Sequence, residues 1–419
     1  MSAAQEPDAS WSFPLRLMDG IGIELEYMIV DRESFDVRPV ADVLLREAAG
    51  GDGWVSDHEP PDGEGIGWSN ELVSHVIELK TVEPVDRLDG VAARFQRQVE
   101  AVNRRLAGLG ARLLPGAMHP WMDPLTETRL WEHEYSPVYE RLDAIFSCRG
   151  HGWSNLQSSH INLPFGDDAE FGRLHAAVRL VLSLLPALAA GSPVRGGART
   201  GIADSRLAAY RENCRRIPSV TGRVIPEPVY DRKSYEREIL ARIARDVAPF
   251  DPDGVLRPEW TNARGAIARF DRGSIEIRVL DVQEHPAADI AIAELVRRLL
   301  AALLAERWVA IDEVKGVPTD SLVELFEAVV REAEQAPVTA PSVLRAFGLD
   351  ERTRAAGDVW AELRARVMPE PGEFGAALAA IESGGTLATR MTRRLESGSG
   401  LREVARELAD CLALGRSLG

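Results

Sequence analysis

The sequence is poor in cysteine, and the few cysteines it has exclude two classes of protein. Cys148, Cys214 and Cys411 lie far apart and form no CxxC motif. A disulfide-stapled scaffold and a zinc site built on cysteine both require more closely spaced pairs. The composition therefore favours a protein of the reducing cytoplasm.

Long hydrophobic runs are also missing. The N-terminal residues show no basic segment followed by an apolar stretch, so we expect no signal peptide. The most apolar segment, 178–190, contains Pro186 and is too short to span a bilayer. The formal net charge of −16 disfavours nucleic acid and anionic membrane surfaces as partners. We therefore expect small-molecule substrates, and the sequence leaves open whether the chain forms a homo-oligomer.

Familiar catalytic and phosphate-binding motifs are absent too. The sequence contains no GxxxxGK[ST] motif and no Gly-Lys dipeptide, which excludes a P-loop. It also lacks HExxH and GxSxG motifs. If the protein uses a nucleotide, metal ions and arginines have to hold its phosphates.

Hydrophobic periodicity predicts strands in the first two-thirds of the chain and helices at the end. The predicted strands are 15–30, 73–81, 156–164 and a hairpin at 264–281. The predicted helices are 85–109, 169–190, 205–216, 287–308 and most of 318–419, and the predicted loops are 49–70 and 191–201. Strands and helices do not alternate strictly, so we expect an α+β fold with an antiparallel sheet. The Gly- and Asp-rich segment 49–70 is interpreted either as a mobile lid or as an ordinary surface loop.

Four predicted strands share a two-faced pattern, because alternate side chains of a strand point to opposite faces. In the first strand, Ile23 and Leu25 lie on the face opposite Glu24 and Glu26. The other three strands place Glu78 with Lys80, His160 with Asn162, and Glu276 with Arg278 on their polar faces. One sheet face is therefore predicted to be core and the other a surface rich in carboxylates.

Glu24, Glu26, Glu78 and Glu276, with Glu71 nearby, would crowd together on such a face. Carboxylates at close range repel each other unless protons or cations compensate the charge. Carboxylate oxygens with one imidazole suit Mg²⁺ or Mn²⁺. The alternative is that each strand simply turns its polar side to solvent, and the pattern alone does not decide between the two.

The ordered motifs resemble those of glutamate–cysteine ligases, and the bacterial carboxylate–amine ligases of the second family are most similar. The resemblance covers about residues 15–310. It is carried by 22–26 (GIELE), 71–72 (EL), 77–81 (IELKT), 119–120 (HP), 160–162 (HIN), 206–218 (RLAAYRENCRRIP) and 274–281 (SIEIRVLD).

This resemblance implies a glutamine-synthetase-like fold, with a curved antiparallel sheet, helices packed on one face and a helical C-terminal region. Residues 1–419 are interpreted as a single ligase domain, with catalytic motifs at 15–310 and a helical tail at 318–419. The resemblance implies that Arg278 contacts the transferred phosphoryl group, with Glu276 beside it. The implied metal ligands are Glu24, Glu26, Glu71, Glu78, His160 and Glu276.

The implied activity is an ATP- and Mg²⁺-dependent ligation in the cytoplasm, with Mn²⁺ as the alternative metal. The γ-carboxylate of glutamate would become an acyl phosphate, which an amine, by the resemblance cysteine, would attack. Candidate residues for binding substrate or phosphate are Asn162, Arg199, Arg206 and Arg211. Three alternatives stay open: the same chemistry on another acid and amine, a non-catalytic relative that binds nucleotide or metal, and a metallohydrolase built on His160.

Overall fold

The computed structural model describes residues 12–419 of the chain. Its centre is an eight-stranded antiparallel sheet with the strand order β2-β3-β4-β1-β6-β10-β9, in which β5 also pairs with β1. The strands are β1 (Gly22–Asp31), β2 (Asp57–His58), β3 (Ile66–Asn70), β4 (Val76–Thr81), β5 (Ala111–Leu114), β6 (Ser158–Pro164), β7 (Val194–Arg195), β8 (Ala198–Arg199), β9 (Ala266–Arg269), β10 (Ser274–Asp281), β11 (Pro337–Val338) and β12 (Arg354–Ala355). Strands β7 with β8 and β11 with β12 form two small separate two-stranded sheets.

Helices surround this sheet and make up most of the C-terminal third. They are α1 (Ala41–Ala48), α2 (Val91–Gly108), α3 (Pro124–Glu127), α4 (Ser136–Phe146), α5 (His151–Ser154), α6 (Asp168–Leu182), α7 (Pro186–Ala189), α8 (Ser205–Tyr210), α9 (Arg232–Tyr235), α10 (Ala241–Val247), α11 (Pro258–Thr261), α12 (Pro286–Leu304), α13 (Ile311–Lys315), α14 (Thr319–Glu332), α15 (Pro341–Ala346), α16 (Ala356–Val367), α17 (Gly375–Gly384), α18 (Leu387–Glu396) and α19 (Leu401–Leu414). No helix among the described residues is long and apolar enough to cross a membrane.

One face of the sheet is the floor of the main hydrophobic core. On β1, Ile23, Leu25 and Tyr27 point to this face, and each is at most 1% exposed. Helices α2 and α6 contact the sheet, and α12 packs against both of them. The predicted mixed fold with a large antiparallel sheet is therefore confirmed.

The opposite face changes character along β1. It carries Glu24 and Glu26 and then continues with Met28 and Val30, which are fully buried. Met28 and Val30 belong to a second apolar cluster formed with side chains of α18 and α19, among them Leu387, Met391, Val404 and Leu408. The last two helices thus cover one end of this face and leave the carboxylate-bearing part beside them.

The prediction of one loop over 49–70 is wrong in part, because two short strands lie within it. Residues 57–58 and 66–70 form β2 and β3, which pair with each other, and β3 also pairs with β4. Trp68 on β3 is 2% exposed, and its Nε1 donates a hydrogen bond to Oε1 of Gln98 on α2 at 3.1 Å. Burial against a helix stabilises this short strand despite its Gly-rich composition.

Other element boundaries differ in smaller ways. The first strand begins at Gly22 rather than at residue 15, and the helix predicted for 205–216 ends at Tyr210 and gives way to turns. The loop predicted at 191–201 contains the β7-β8 hairpin, which turns at two glycines with positive φ, Gly196 and Gly197. The hairpin predicted at 264–281 is confirmed as β9 and β10.

Candidate active site

The site is a cavity of about 390 Å³ over the polar face of the sheet. Strands β4, β1, β6 and β10 supply its floor, and α4, α5, α8 and α11 supply its walls. All six residues predicted as metal ligands line it, together with Arg206 and Arg278. The sheet therefore brings together side chains that are more than 250 positions apart in the chain, such as Glu24 and Glu276.

Strand pairing sets the positions of the central carboxylates. Glu24 lies between His160 on β6 and Lys80 on β4, and Glu26 lies opposite Glu78 on β4. Directly opposed residues of an antiparallel pair have their side chains within contact distance on the same face. The register between the strands therefore brings the polar side chains of separate strands together in one cluster.

A hydrogen-bonded chain connects Glu24 to Glu26 through β6. His160 Nδ1 lies 2.7 Å from Glu24 Oε2, and its Nε2 lies 2.9 Å from the Ser158 hydroxyl oxygen. The Ser158 hydroxyl donates to Glu26 Oε2 at 3.0 Å, and the Ser158 backbone N–H donates to the same oxygen at 2.6 Å. This chain holds both carboxylates and the imidazole in fixed orientations.

Two groups of side chains in the cavity have donor atoms close enough to bind one cation each. One oxygen or nitrogen from every member of a group lies within 4.8 Å of the others. The first group is Glu24, Glu78 and His160, and the second is Glu26, Glu71 and Glu78. Glu78 belongs to both, so two cations bound here would share its carboxylate.

The electrostatics of these groups follow from burial and close like charges. Burial and the charge of Glu24 raise the pKa of Glu78 to about 7. Burial, with the charges of Glu26 and Glu78, raises the pKa of Glu71 well above its usual range. Burial opposes the charged form of His160, but the hydrogen bond to Glu24 and the nearby carboxylates outweigh it and raise its pKa to about 9. Burial and close like charges thus oppose the ionised forms of Glu71 and Glu78, and the same carboxylates favour the protonated form of His160.

Lys80 supplies one compensating charge at the edge of the cluster. Its Nζ lies 3.3 Å from Glu78 Oε1 and 2.9 Å from Asp57 Oδ1. The other Glu78 contact is the Ser69 hydroxyl, which donates to the same carboxylate at 2.6 Å. Lys80 is therefore a partner of carboxylates on β2 and β4.

Strand β10 brings an arginine and a glutamate to the same face. A side-chain nitrogen of Arg278 donates to Glu276 Oε1, and Arg269 Nη1 on β9 donates to Oε2 of the same glutamate at 3.4 Å. The buried Arg278 Nε has no hydrogen-bond partner among the described residues. The β10-β6 register shifts just after Ile277, so the pleat is irregular at Arg278. These contacts hold the guanidinium of Arg278 at the cavity and leave its Nε–H without an acceptor in the described chain.

Arg206 is fixed by a buried ion pair at the other end of β10. Its Nε donates to Asp281 Oδ1, and both side chains are at most 2% exposed. The second oxygen of Asp281 accepts from the Gly191 N–H and the Ser192 hydroxyl, each at 2.8 Å. Arg206 thus lines the cavity, but its Nε and Nη1 donate hydrogen bonds to other residues of the protein.

Three of the predicted substrate- or phosphate-binding residues do not line this cavity. Asn162 donates to Glu24 Oε1 at 3.0 Å from the side of a neighbouring cavity. Arg199 pairs with Glu396 at 2.8 Å and Arg211 with Glu327 at 2.5 Å, both at partly exposed positions. These pairs direct both arginines to α18 and α14, so both lie outside this cavity, and their contact with substrate stays a prediction.

Sequence reasoning missed several side chains that the fold adds to the site. Ser158 joins two predicted ligands, Arg269 joins the Glu276 pair, and Tyr210 and Arg272 line the cavity. Ser158 is the first residue of β6 and Arg269 the last residue of β9, where the alternating pattern is short. Only the alternation of Ser158 with His160 on β6 could have indicated that they share a face.

Comparison with known proteins agrees with this geometry. The sequence profile of the glutamate–cysteine ligase family 2 matches residues 20–408. The chain belongs to this family. An uncharacterized protein of Archaeoglobus fulgidus is 33% identical over 311 residues, which cover 74% of this chain and 79% of that protein. A glutamate–cysteine ligase of Haloferax volcanii is 27% identical over 294 residues, which cover 70% and 73% of the two chains.

A solved structure supports the same fold. The bifunctional glutathione synthetase of Pasteurella multocida superposes with a TM-score of 0.53 at 14% identity. The match covers 95% of this chain and 52% of that chain, so this chain spans about half of the length of the bifunctional enzyme. Membership of the family makes the chain a carboxylate–amine ligase of the glutamate–cysteine ligase type.

Proposed function

We propose that this ligase uses ATP and Mg²⁺ to join the γ-carboxylate of glutamate to an amine through an acyl phosphate. One observation carries the proposal. Two groups of carboxylate-rich side chains that could each bind a cation lie in the same cavity as Arg278. The family name and the Haloferax volcanii relative make cysteine the first amine to test and glutathione synthesis the first pathway to consider. The same chemistry on another acid and amine is the alternative.

The donor set fits Mg²⁺ or Mn²⁺ better than zinc. Glu24, Glu26, Glu71 and Glu78 offer hard carboxylate oxygens, and His160 is the single imidazole. Buried carboxylates this close to each other repel unless protons or cations compensate their charge, and divalent cations would do so here. Divalent cations held by these side chains would supply positive charge to neutralise the charge that develops during phosphoryl transfer.

The chain's own residues orient the reacting groups. Glu276 and the bulged strand β10 aim Arg278 into the cavity, where its free donors suit a phosphoryl oxygen. Ser158 fixes the ring of His160 and the carboxylate of Glu26. In phosphoryl transfer such positioning and charge compensation account for most of the catalysis.

The second step joins the amine to the activated acid. The amine nitrogen donates its lone pair to the carbonyl carbon, and the bond from that carbon to the phosphate oxygen breaks. Phosphate leaves with the electron pair, and the nitrogen loses a proton. The products are an amide, ADP and phosphate.

We also propose that residues 12–419 act as one domain in the cytoplasm. The main apolar cluster runs from Ile21, just before β1, to Leu412 on α19, which supports a single folding unit. Three buried free cysteines support a reducing compartment.

The proposal is tested with hydroxylamine, a small amine that traps acyl phosphates as coloured hydroxamates. Purified protein, ATP, Mg²⁺ and glutamate should give γ-glutamyl hydroxamate and ADP in equal amounts, and omission of any component should stop both. ATP binding without ADP formation would support a non-catalytic relative. Amide hydrolysis that needs no ATP would support a metallohydrolase.

A further inference from the structure

Three side chains of α8 and β10 that line the cavity each have a buried hydrogen-bond donor without an acceptor among residues 12–419. The donors are Nη2 of Arg206, the hydroxyl of Tyr210 and Nε of Arg278. A buried donor without an acceptor is costly, because folding removes it from water and does not replace the lost hydrogen bond. Unpaired donors in a cavity therefore favour a ligand that supplies the acceptors.

Arg206 and Tyr210 lie on the same face of α8. They are four residues apart within this helix, and residues at that spacing are neighbours on a helix surface. Arg206 Nη1 donates to the backbone carbonyl oxygen of Arg278 at 3.4 Å, which ties this face of α8 to β10. We call the Arg206 Nη2 and Tyr210 hydroxyl groups the α8 donor pair.

The direction of Arg206 Nη2 is fixed by bonds to the rest of its guanidinium. Nε donates to Asp281 Oδ1, and the second oxygen of Asp281 is held by Gly191 and Ser192. The Arg206 backbone N–H also donates to the Ser192 hydroxyl oxygen at 3.1 Å. Because a guanidinium is planar and rigid, these bonds set the position of Nη2 before any ligand binds.

Tyr210 remains a donor although it lies close to an arginine. Burial raises the pKa of its hydroxyl, and the Arg278 guanidinium acts in the opposite sense. A guanidinium has no acceptor, so a contact between the two side chains uses the Tyr210 oxygen and leaves the O–H proton free. The neutral hydroxyl and Nη2 of Arg206 can therefore each donate to one oxygen of a carboxylate.

The α8 donor pair is separate from the side chains that could bind cations. Those side chains belong to β1, β4 and β6, with Glu71 just before β4, whereas the donor pair contacts β10, which lies beyond β6 in the sheet. Asp281 already offsets part of the charge of Arg206. The pair therefore suits a single carboxylate better than a polyphosphate.

We propose that the α8 donor pair binds the α-carboxylate of an amino acid substrate and selects that substrate over analogues without the carboxylate. The inference rests on the proposed ligase function and gives Tyr210 a role in its specificity. The carboxylate belongs either to the acid that is activated or to the amine that attacks it. An analogue without it leaves both donors buried and unpaired, and sites built to bind a polar group reject such analogues strongly.

Truncated substrates combined with Tyr210→Phe test the inference. 4-Aminobutyrate is glutamate without its α-carboxylate, and cysteamine is cysteine without its carboxylate. In the acid arm, with hydroxylamine as the amine, Tyr210→Phe should raise the KM for glutamate about tenfold or more, and the KM for 4-aminobutyrate should not change. In the acceptor arm, with saturating glutamate, the same comparison is made between cysteine and cysteamine. A change in the acid arm assigns the carboxylate to glutamate, and a change in the acceptor arm assigns it to the amine.

Tyr230→Phe is the matched control for loss of a tyrosine hydroxyl. Tyr230 lies outside the cavity, and its hydroxyl donates to the Lys315 carbonyl oxygen at 3.0 Å, so every KM should keep its wild-type value. Unchanged KM values for both amino acids in Tyr210→Phe would overturn the inference. An equal loss with the amino acids and their analogues would also overturn it, because Tyr210 would then act on the phosphoryl group.

Two further measurements separate this inference from the proposed function. If Tyr210→Phe does not fold by circular dichroism, Arg206→Lys replaces it, since lysine keeps a charge for Asp281 but lacks Nη2. If the wild type forms no hydroxamate, the proposed function fails, and calorimetric titration with glutamate and with cysteine tests the donor pair by itself. The Kd of one amino acid should then rise about tenfold or more in the variant. An unchanged Kd, or no binding of either amino acid to the wild type, would overturn the inference.

Discussion

Glu24 and His160 face each other across strands β1 and β6, and His160 Nδ1 lies 2.7 Å from Glu24 Oε2. Burial opposes ionisation of Glu24, but His160 and Lys80 outweigh it and lower its pKa to about 2. Glu24 is therefore ionised at neutral pH and ready to bind a cation. The pair anchors one edge of the carboxylate cluster on which the proposed chemistry depends.

Replacement of a cluster carboxylate should abolish activity without unfolding the protein. Glu24→Gln and Glu276→Gln keep the side-chain volume but remove a charge, so we expect kcat to fall at least about 100-fold. Hydroxamate formation and thermal unfolding measure the two effects. Glu100→Gln, on the exposed side of α2, is the control. Wild-type rates in the two cluster variants would contradict the proposal that these carboxylates bind metal ions.

Ser158→Ala tests whether orientation of the ligands matters. The variant removes the hydroxyl that links His160 to Glu26, and loss of such a supporting contact typically weakens metal binding by about 10- to 100-fold. The Mg²⁺ concentration for half-maximal hydroxamate formation should rise accordingly. Ser158→Thr restores a hydroxyl and should recover part of the loss. An unchanged Mg²⁺ requirement in the alanine variant would show that Ser158 only packs.

Arg206 and Arg199 should contribute differently to stability, because one forms a buried ion pair and the other a partly exposed one. Asp281→Ala leaves Arg206 buried without its partner, and loss of one member of a buried pair costs about 3–5 kcal/mol in the free energy of unfolding. Arg199→Ala breaks a partly exposed pair with Glu396 and should cost less than about 1 kcal/mol. Urea unfolding distinguishes the two. Arg199→Ala should also keep hydroxamate activity, and a loss of activity would reinstate it as a site residue.

The lowered pKa of the buried His175 predicts that the protein loses stability in acid. Burial and the charge of Arg179 lower its pKa to about 3, against the usual value near 6.5, while Glu227 acts in the opposite sense. The unfolded chain binds a proton at this residue below pH 6.5 and the folded protein does not. Its contribution is therefore constant above pH 6.5 and falls between pH 6.5 and 3, by about 2 kcal/mol at pH 5.

Urea unfolding at pH 7 and pH 5 checks this sign. His175→Phe can stack on Phe171 in the same way but binds no proton. The variant should lose less stability than the wild type between the two pH values. An equal loss in both proteins would contradict the assigned pKa.

The two-residue period of strands was sufficient to predict which side chains share the polar face. Glu24, Glu26 and Glu276 each alternate with buried apolar residues, and the structure places all three on the cavity floor. The register between strands could not be predicted, because it depends on packing of the opposite face. The contact of Ser158 with Glu26 depends on the pairing of β1 with β6, so the sequence alone does not predict it.

The errors have a common physical origin in local composition. Trp68 lies in strand β3, which the sequence does not predict because the surrounding glycines and aspartates are typical of a loop. The strand is stabilised by contacts with Gln98 on α2, which local composition does not reveal. Arg199 and Arg211 are predicted at the site because they are charged and close in sequence to Arg206. Tertiary pairing with Glu396 and Glu327 decided their positions instead.

The central claim is that the acid is activated as an acyl phosphate, and transfer of labelled oxygen tests it most directly. Glutamate labelled with ¹⁸O in its γ-carboxylate is incubated with the protein, ATP, Mg²⁺ and hydroxylamine, which avoids dependence on the natural amine. Mass spectrometry of the released phosphate should show one ¹⁸O atom per hydroxamate formed, because the carboxylate oxygen leaves with the phosphoryl group. Unlabelled phosphate alongside hydroxamate would contradict the account.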